Sequence, residues 1–168
     1  IHLDISKIGK IENSIKKTLE IYYNSFLKVI GKNGTVCAPA FFWELKNNDK
    51  FDTKRSPISK HLGLFPKFLQ NLNGSYRSLN PISSVVSIGK HAKLICNDRT
   101  ASTYGVDSPF DILTKLNAKM LFIGIDLKYM TYVHYIEQMV GVPNRYFKYL
   151  DNHVYKNKKN IKMSVISY

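Results

Sequence analysis

Apolar residues near the start of the chain recur every three or four positions, which is the period of an amphipathic helix. The positions that carry this pattern are Ile15, Leu19, Tyr22, Tyr23, Phe26, Leu27 and Ile30. Gly31 follows them as a helix stop signal. The pattern therefore predicts a helix over residues 12–30.

Two further helices are indicated by their start and stop signals. Ser108 and Pro109 supply the N-cap residue and the first-turn proline that favour a helix start, and Asp111 adds an acid in the first turn. Residues 131–140 carry apolar side chains at helical spacing, and Gly-Val-Pro at 141–143 follows them. We therefore expect one helix to begin at Ser108 and another to span 131–140.

Short and nearly continuous apolar runs between these helices predict buried strands. One run lies within 34–43, and two more lie at 83–88 and 119–125. Runs without polar alternation are typical of sheets that are covered on both faces. Residues 153–156 and 161–167 instead alternate apolar and polar residues around a basic turn, which predicts a terminal β-hairpin.

Strands that alternate with helices indicate an α/β fold, here a layered α/β/α domain with a central mixed sheet and a C-terminal hairpin. No repeat or linker divides the sequence, so residues 1–168 are expected to form one domain. Residues 1–5 have the pattern of the end of a strand. This predicts that the domain is incomplete at one or both ends.

Composition and charge narrow the set of partners. The chain has 25 Lys and Arg against 12 Asp and Glu, a formal net charge of +13, which favours phosphate-bearing ligands. Lysines on a solvated face explain the charge equally well. No run of 18 apolar residues predicts a membrane span, and Cys37 and Cys96 lie in apolar runs typical of buried thiols. These features predict a cytoplasmic protein.

Several common functional signatures are missing. The five histidines show no i, i+4 pairing and no nearby cysteine, which argues against a zinc site and against a metal in general. The sequence has no Gly-x-Gly-x-x-Gly, P-loop or Gly-x-Ser-x-Gly motif. A nucleic-acid-binding module stays open because of the charge, but the basic residues are scattered and no known motif accompanies them. Nucleic acid is therefore not the expected partner.

His134 and Glu137 are three residues apart on the predicted helix 131–140, so their side chains share a face with Thr131. A carboxylate beside an imidazole fixes its tautomer and raises its basicity, which suits a general base near neutral pH. The same spacing is common on solvated helix faces. Spacing alone therefore leaves both interpretations open.

Polar residues cluster just before the strand predicted at 83–88. Arg77 and Ser78 precede this strand and Ser83 begins it, an arrangement that α/β domains often place at a ligand site. A guanidinium with hydroxyl and backbone donors suits a phosphate group. Ser108, at the start of a helix, is a second candidate anion site. A turn rich in Ser, Asn and Pro needs no ligand, so that alternative also stays open.

The order of these features resembles one enzyme family. In chain order they are His2 with Gly9, Pro57, Gly63, Arg77-Ser78, Pro81, Ser83, Gly89 with Ala92, Gly105 with Ser108-Pro109, Gly124, Thr131-x-x-His134-x-x-Glu137 and Val142-Pro143. Each is weak alone, but the ordered set resembles the aminoglycoside 3-N-acetyltransferase family, which differs in fold from GCN5-like acetyltransferases. The resemblance covers nearly the whole chain.

This resemblance implies a CoA-dependent N-acetyltransferase that moves an acetyl group from acetyl-CoA to a primary amine. His134 corresponds to the histidine that deprotonates the acceptor amine, and Glu137 corresponds to the acid that accompanies it. The positions that correspond to the CoA-binding cleft are Arg77, Ser78, Ser83, Ser108 and Thr131.

Three positions depart from the family's pattern. Asn80 stands where the family usually has a histidine, and Leu3 and Asp4 stand where it usually has hydroxyl residues. Members of the family also generally extend beyond the point at which this sequence stops. These departures leave open a catalytically inactive binding or regulatory relative.

The acceptor is predicted from charge rather than from the resemblance. Aminoglycosides are polycations that bind to carboxylates, and a chain at +13 with 12 acidic residues supplies few of them. We therefore expect the acceptor to be a small-molecule amine, either an amino sugar carried on a nucleotide or another anionic amine, as in surface-polysaccharide assembly. This class is expected in preference to an aminoglycoside antibiotic. The sequence leaves open whether the chain forms a homo-oligomer.

Overall fold

Several helices begin or end where their capping signals stand. The computed structural model describes residues 1–9, 11–97, 100–156 and 159–167. Its α-helices are α1 (Ile5–Ile8), α2 (Ile15–Ile30), α3 (Phe65–Gln70), α4 (Ala92–Ile95), α5 (Pro109–Lys115) and α6 (Tyr132–Val140). The Oγ atoms of Ser14 and Ser108 accept hydrogen bonds from the first turns of α2 and α5. Gly31 and Gly141 end α2 and α6 with positive φ. The predicted helices are thus confirmed, with α2 beginning later than expected.

The strands pair in both parallel and antiparallel fashion. They are β1 (His2–Leu3), β2 (Thr35–Pro39), β3 (Lys50–Asp52), β4 (Tyr76–Arg77), β5 (Val85–Gly89), β6 (Phe122–Ile123), β7 (Lys148–Lys156) and β8 (Lys159–Ser167). β5 pairs antiparallel with β2 and β4, with Cys37 opposite Ser87. β1 pairs parallel with β6, and β3 pairs parallel with β7. β7 and β8 form the predicted C-terminal hairpin. The expected mixed α/β class is confirmed, with its strands divided among separately hydrogen-bonded sheets.

The sheet β2-β5-β4 is covered by helices on both faces. Val86 of β5 packs in a core cluster with Leu19 of α2 and Phe65 of α3. Its neighbour Val85 packs in a second cluster with Phe110 of α5, together with residues of α4 and α6. Successive side chains of a strand point to opposite faces, so β5 separates two helical layers. The prediction of a buried strand at 83–88 is thus confirmed by β5.

The prediction of a buried strand over 119–125 was wrong in extent. The strand there is limited to Phe122 and Ile123, which are half-buried, and Met120 and Leu121 are 40% and 41% exposed. This segment has β1 as its hydrogen-bonded neighbour in a two-stranded sheet, so the apolar run is not enclosed on both sides.

Cys37 and Cys96 are both thiols that form no disulfide. Cys96 is buried, as predicted, whereas Cys37 is half-buried. Within the ranges given above, no helix has the length and apolar character needed to cross a membrane.

Gly89 is expected to tolerate no side chain, because it ends β5 with φ of 121° and a Cβ there would overlap the carbonyl oxygen of Gly34. Replacing Gly89 with alanine should lower the free energy of unfolding by about 2 kcal/mol or more. Gly74→Ala is the matched control, since its φ is 82° but a Cβ would meet nothing within 4 Å. Urea denaturation of both variants measures the difference. Equal losses of stability would contradict the steric argument.

Candidate active site

His134 and Glu137 lie on one face of α6, as their spacing predicts. Nδ1 of His134 is 2.9 Å from Oε2 of Glu137, and the two side chains are 32% and 22% exposed. An ionised carboxylate only accepts hydrogen bonds, so Nδ1 carries the proton of this bond and Nε2 keeps its lone pair. α6 is anchored on α5, because the hydroxyl of Tyr135 donates to Oδ1 of Asp111 at 3.1 Å.

Arg145 joins this pair from the segment after α6. Its Nη2 lies 2.9 Å from Oε2 and 3.2 Å from Oε1 of Glu137. The hydrogen bonds from His134 and Arg145 lower the pKa of Glu137 below its ordinary value, which keeps the carboxylate ionised at neutral pH. Arg145 was not among the residues predicted from the sequence. Its proximity to the Val142-Pro143 motif was visible, but the turn that brings it back to α6 was not.

Buried hydroxyl groups lie next to the imidazole. The ring of Tyr104 is 5.4 Å from that of His134 between centroids, and its hydroxyl is 2.8 Å from Oγ of Ser83. Burial raises the pKa of Tyr104, so the phenol is neutral near pH 7. Oδ1 of Asn80 accepts from the backbone N–H of Ser83, and its Nδ2 donates to Oγ1 of Thr103 at 3.0 Å. Asn80, which departs from the family's pattern, therefore holds the turn that positions Ser83.

The hydrogen bond between Ser83 and Tyr104 gives a test of this packing. Both side chains are buried, so Ser83→Ala leaves the phenolic hydroxyl without its partner and should cost about 1–2 kcal/mol of folding free energy. Adding Tyr104→Phe removes the orphaned hydroxyl and should recover part of that loss. Thermal denaturation of the two single variants and the double variant completes a double-mutant cycle, which measures the coupling free energy between the two side chains. Strictly additive losses would show that the two groups are not coupled.

Arg77 was predicted to line a cofactor cleft, and the structure places its side chain inside the protein. The guanidinium is 5% exposed and lies 4.8 Å from the ring centroid of Phe51. Its hydrogen bonds go to Oγ of Ser84 and to the carbonyl oxygens of Ala40, Ser56 and Pro57. Burial lowers the pKa of Arg77 to about 10, so the group stays charged at neutral pH. A direct contact with CoA stays a prediction.

Ser78 and Ser108 are also enclosed. Both are 0% exposed. Oγ of Ser78 accepts from the backbone N–H of Val85 at 2.9 Å, and Oγ of Ser108 accepts from that of Asp111 at 3.3 Å. These bonds are structural, one closing the turn before β5 and the other capping α5. The structure thus brings Ser83 close to His134, through Tyr104, while roles in cofactor binding stay predictions for all three serines.

Thr131, in contrast, lines an open cavity of about 250 Å³ at the start of α6, one helical turn before His134. The other lining residues are apolar or aromatic, with two imidazoles; they are Ile1, His2, Leu3, Pro39, Phe41, Trp43, His61, Leu62, Ile125 and Tyr129. Burial lowers the pKa of His2 to about 4, and its ring stacks on Phe122 with centroids 4.9 Å apart. The lining within the described residues includes no carboxylate.

Metal ligands are not grouped in this region. In the part of the chain that the structure describes, no cluster of three or more His, Cys, Asp or Glu side chains could hold a metal ion. Among the described residues, His134, Glu137 and Arg145 supply an imidazole, a carboxylate and a guanidinium, and Thr131, one helical turn before His134, lines the cavity.

Comparison with known proteins relates this geometry to a family. A family model described as aminoglycoside 3-N-acetyltransferase matches residues 1–166. Aminoglycoside N(3)-acetyltransferase III of a Salmonella species is 24% identical over 163 residues, which cover 86% of this chain and 55% of that protein. The chain therefore spans about half the length of this curated relative.

Solved structures show the same fold. AAC-IIIb in a binary complex with CoASH has a TM-score of 0.85 at 23% identity, covering 99% of this chain and 67% of that one. Aminoglycoside acetyltransferase AAC(3)-Xa has a TM-score of 0.86 at 20% identity, covering 99% and 63%. These likenesses confirm the expectation that the fold is not GCN5-like.

Proposed function

Because the chain belongs to the aminoglycoside 3-N-acetyltransferase family, we propose that it transfers an acetyl group from acetyl-CoA to a primary amine of a small-molecule acceptor. The observation that carries this proposal is the pair of His134 and Glu137, with Nδ1 and Oε2 2.9 Å apart. The pair directs the lone pair of Nε2 away from the carboxylate, and the cavity begins one turn earlier on the same helix.

His134 is the general base of the proposed reaction. An ammonium group must lose a proton before its nitrogen attacks a thioester, and Nε2 is the atom that accepts this proton. The amine nitrogen then bonds to the acetyl carbonyl carbon and releases its second surplus proton to solvent, and the carbon–sulfur bond breaks. The departing thiolate takes up a proton, which the imidazolium supplies. Glu137 stabilises the imidazolium while it exists, because its carboxylate stays ionised beside Nδ1.

The cavity lined by Thr131 is the proposed place for the acetyl thioester and the arm that carries it. Its lining is aromatic and aliphatic, which suits an uncharged chain. The phosphates of CoA need cations. Lys60 and Lys128 are exposed and adjacent in sequence to the lining residues His61 and Tyr129, so they are the cations that we propose for this contact.

Release of free thiol from acetyl-CoA, with and without an amine, tests the proposed function. We expect thiol release that depends on the amine, together with saturable one-site binding of acetyl-CoA by calorimetry. Binding without thiol release for any amine would instead support a catalytically inactive relative. Absence of acetyl-CoA binding would contradict the proposal itself.

For the acceptor, two observations favour different amino sugars. The names of the curated relatives specify aminoglycosides as their substrates. The net charge of +13 favours an anionic amine, such as an amino sugar carried on a nucleotide. We propose the nucleotide-linked sugar as the preferred acceptor and the aminoglycoside as its competitor.

Specificity constants decide between these acceptors. We expect kcat/KM for a uridine-diphosphate-linked amino sugar to exceed that for a kanamycin-type aminoglycoside at the same ionic strength. The reverse order would overturn the preference and leave the acetyltransferase proposal intact. A cytoplasmic location and self-association stay predictions.

A further inference from the structure

The end of α6 turns the chain so that Arg145 returns to the helix. Gly141 adopts left-handed dihedral angles of φ 68° and ψ 52°. The backbone N–H groups of Gly141 and Val142 both donate to the carbonyl oxygen of Glu137, at 3.0 and 3.2 Å. This C-cap closes the last turn and directs the following residues back along the helix. Glu137 is thus bonded through its backbone to the turn and through its side chain to Arg145.

The donors and acceptors around Arg145 decide whether it donates to Glu137 or to Nδ1 of His134. Its guanidinium has only donors. Nη2 lies 3.3 Å from Nδ1 of His134, but 2.9 Å from Oε2 of Glu137. If Nδ1 accepted from Arg145, the proton of a neutral imidazole would sit on Nε2, and the ring could not act as a base through that atom. The bond of 2.9 Å between Nδ1 and Oε2 favours the opposite tautomer.

Stability alone does not explain this arrangement. The side chain of Arg145 is 37% exposed and that of Glu137 is 22% exposed, and exposed ion pairs contribute little to folding. A guanidinium that contacts both oxygens of a carboxylate does, however, restrict its rotation. What the contact controls here is therefore the orientation of the Glu137 carboxylate.

We propose that Arg145 is a positioning residue, which holds the Glu137 carboxylate against Nδ1 of His134 and thereby keeps the imidazole in the tautomer with Nε2 unprotonated. The catalytic consequence rests on the proposed function, whereas the tautomer is a property of the chain itself. Loss of Arg145 leaves Glu137 bonded to His134 alone and free to rotate away. The Nε2–H tautomer then becomes accessible, and the fraction of ring able to accept a proton falls.

The test uses Arg145→Met, which removes the donors but keeps an unbranched side chain, and Arg145→Lys, which restores a single charge. Arg55→Met is the matched control, since Arg55 is exposed and lies in the loop after β3. Long-range proton–nitrogen NMR of the His134 ring, assigned with a His134→Gln variant, measures the tautomer without any substrate. Circular dichroism verifies that each variant is folded.

We expect the Nδ1–H tautomer in the unsubstituted chain, in Arg145→Lys and in Arg55→Met, and a mixture of both tautomers in Arg145→Met. For acetyl transfer, kcat of Arg145→Met should fall by about 10- to 100-fold with KM for acetyl-CoA nearly unchanged, and Arg145→Lys should recover part of this loss. An unchanged tautomer in Arg145→Met overturns the inference. Absence of acetyl transfer by the unsubstituted chain contradicts the proposed function instead, because the ring spectrum still decides the role of Arg145.

Discussion

Replacing His134 with glutamine is expected to lower the rate of acetyl transfer by about 10³-fold. Glutamine keeps a polar side chain of similar length on α6, but it has no group that takes up a proton near neutral pH. The amine then enters the reaction as an ammonium ion, which cannot attack the thioester. Glu137→Gln should have a smaller effect, because the base stays in place while its ionised partner is lost.

Binding and turnover must be measured together in this variant. The dissociation constant for acetyl-CoA, from calorimetry, should stay within about twofold of the starting value, because general-base catalysis acts on the reaction step. His91→Gln is the matched control. It makes the same histidine-to-glutamine change near the start of a different helix, because His91 precedes α4. Full turnover by His134→Gln would show that another group deprotonates the amine. Loss of acetyl-CoA binding would instead assign His134 to the binding of the co-substrate.

Replacing Arg77 with methionine is expected to lower the free energy of unfolding by about 3 kcal/mol or more. The methionine side chain still covers the ring of Phe51, but the buried carbonyl oxygens of Ala40 and Ser56 lose their charged donor. Ser84 and Gln70 still donate to these two oxygens, so the size of the effect comes from the loss of several buried charge-assisted hydrogen bonds. Arg77→Lys should be nearly as destabilising, because one ammonium cannot reproduce the planar fork.

Urea denaturation measures this loss, with Arg55→Met as the control. The free energy of unfolding of Arg55→Met should stay within about 0.5 kcal/mol of that of the starting protein. Calorimetry with acetyl-CoA, at a temperature where Arg77→Met is folded, then separates two roles. Unchanged affinity would assign Arg77 to the scaffold, and a large loss of affinity would support the cofactor contact predicted from the sequence. A loss of stability below about 1 kcal/mol would contradict the structural argument.

Features that depend on neighbouring residues were predictable. The start of α5 follows from Ser108 and Pro109, because capping is a local interaction. The pairing of His134 with Glu137 follows from their spacing on one helix. The buried strand β5 follows from an apolar run with no alternation, because such a run fits a sheet covered on both faces.

Features that depend on distant parts of the chain were not predictable. The acceptors of Arg77 lie up to 37 residues away, and Tyr104 lies 21 residues after Ser83, so neither contact has a signature in the sequence. Sequence therefore described Arg77 as a free guanidinium, whereas folding surrounds it with carbonyl groups. The position of Arg145 follows the turn after α6, in which Gly141 has left-handed dihedral angles and Val142 donates to the carbonyl oxygen of Glu137. Spacing along the chain carries no information about such a reversal.

Two adjacent valines of β5, Val85 and Val86, belong to the two core clusters on opposite faces of the sheet. Val86 belongs to the cluster that α2 covers, and Val85 to the cluster that contains Tyr135 of α6. Any opening that separates β5 from its neighbours exposes both clusters at once, so we expect amide protons on the two sides to exchange with solvent through the same cooperative event. The stability of the layer that carries α6 is therefore expected to be coupled to that of the layer formed by α2 and α3.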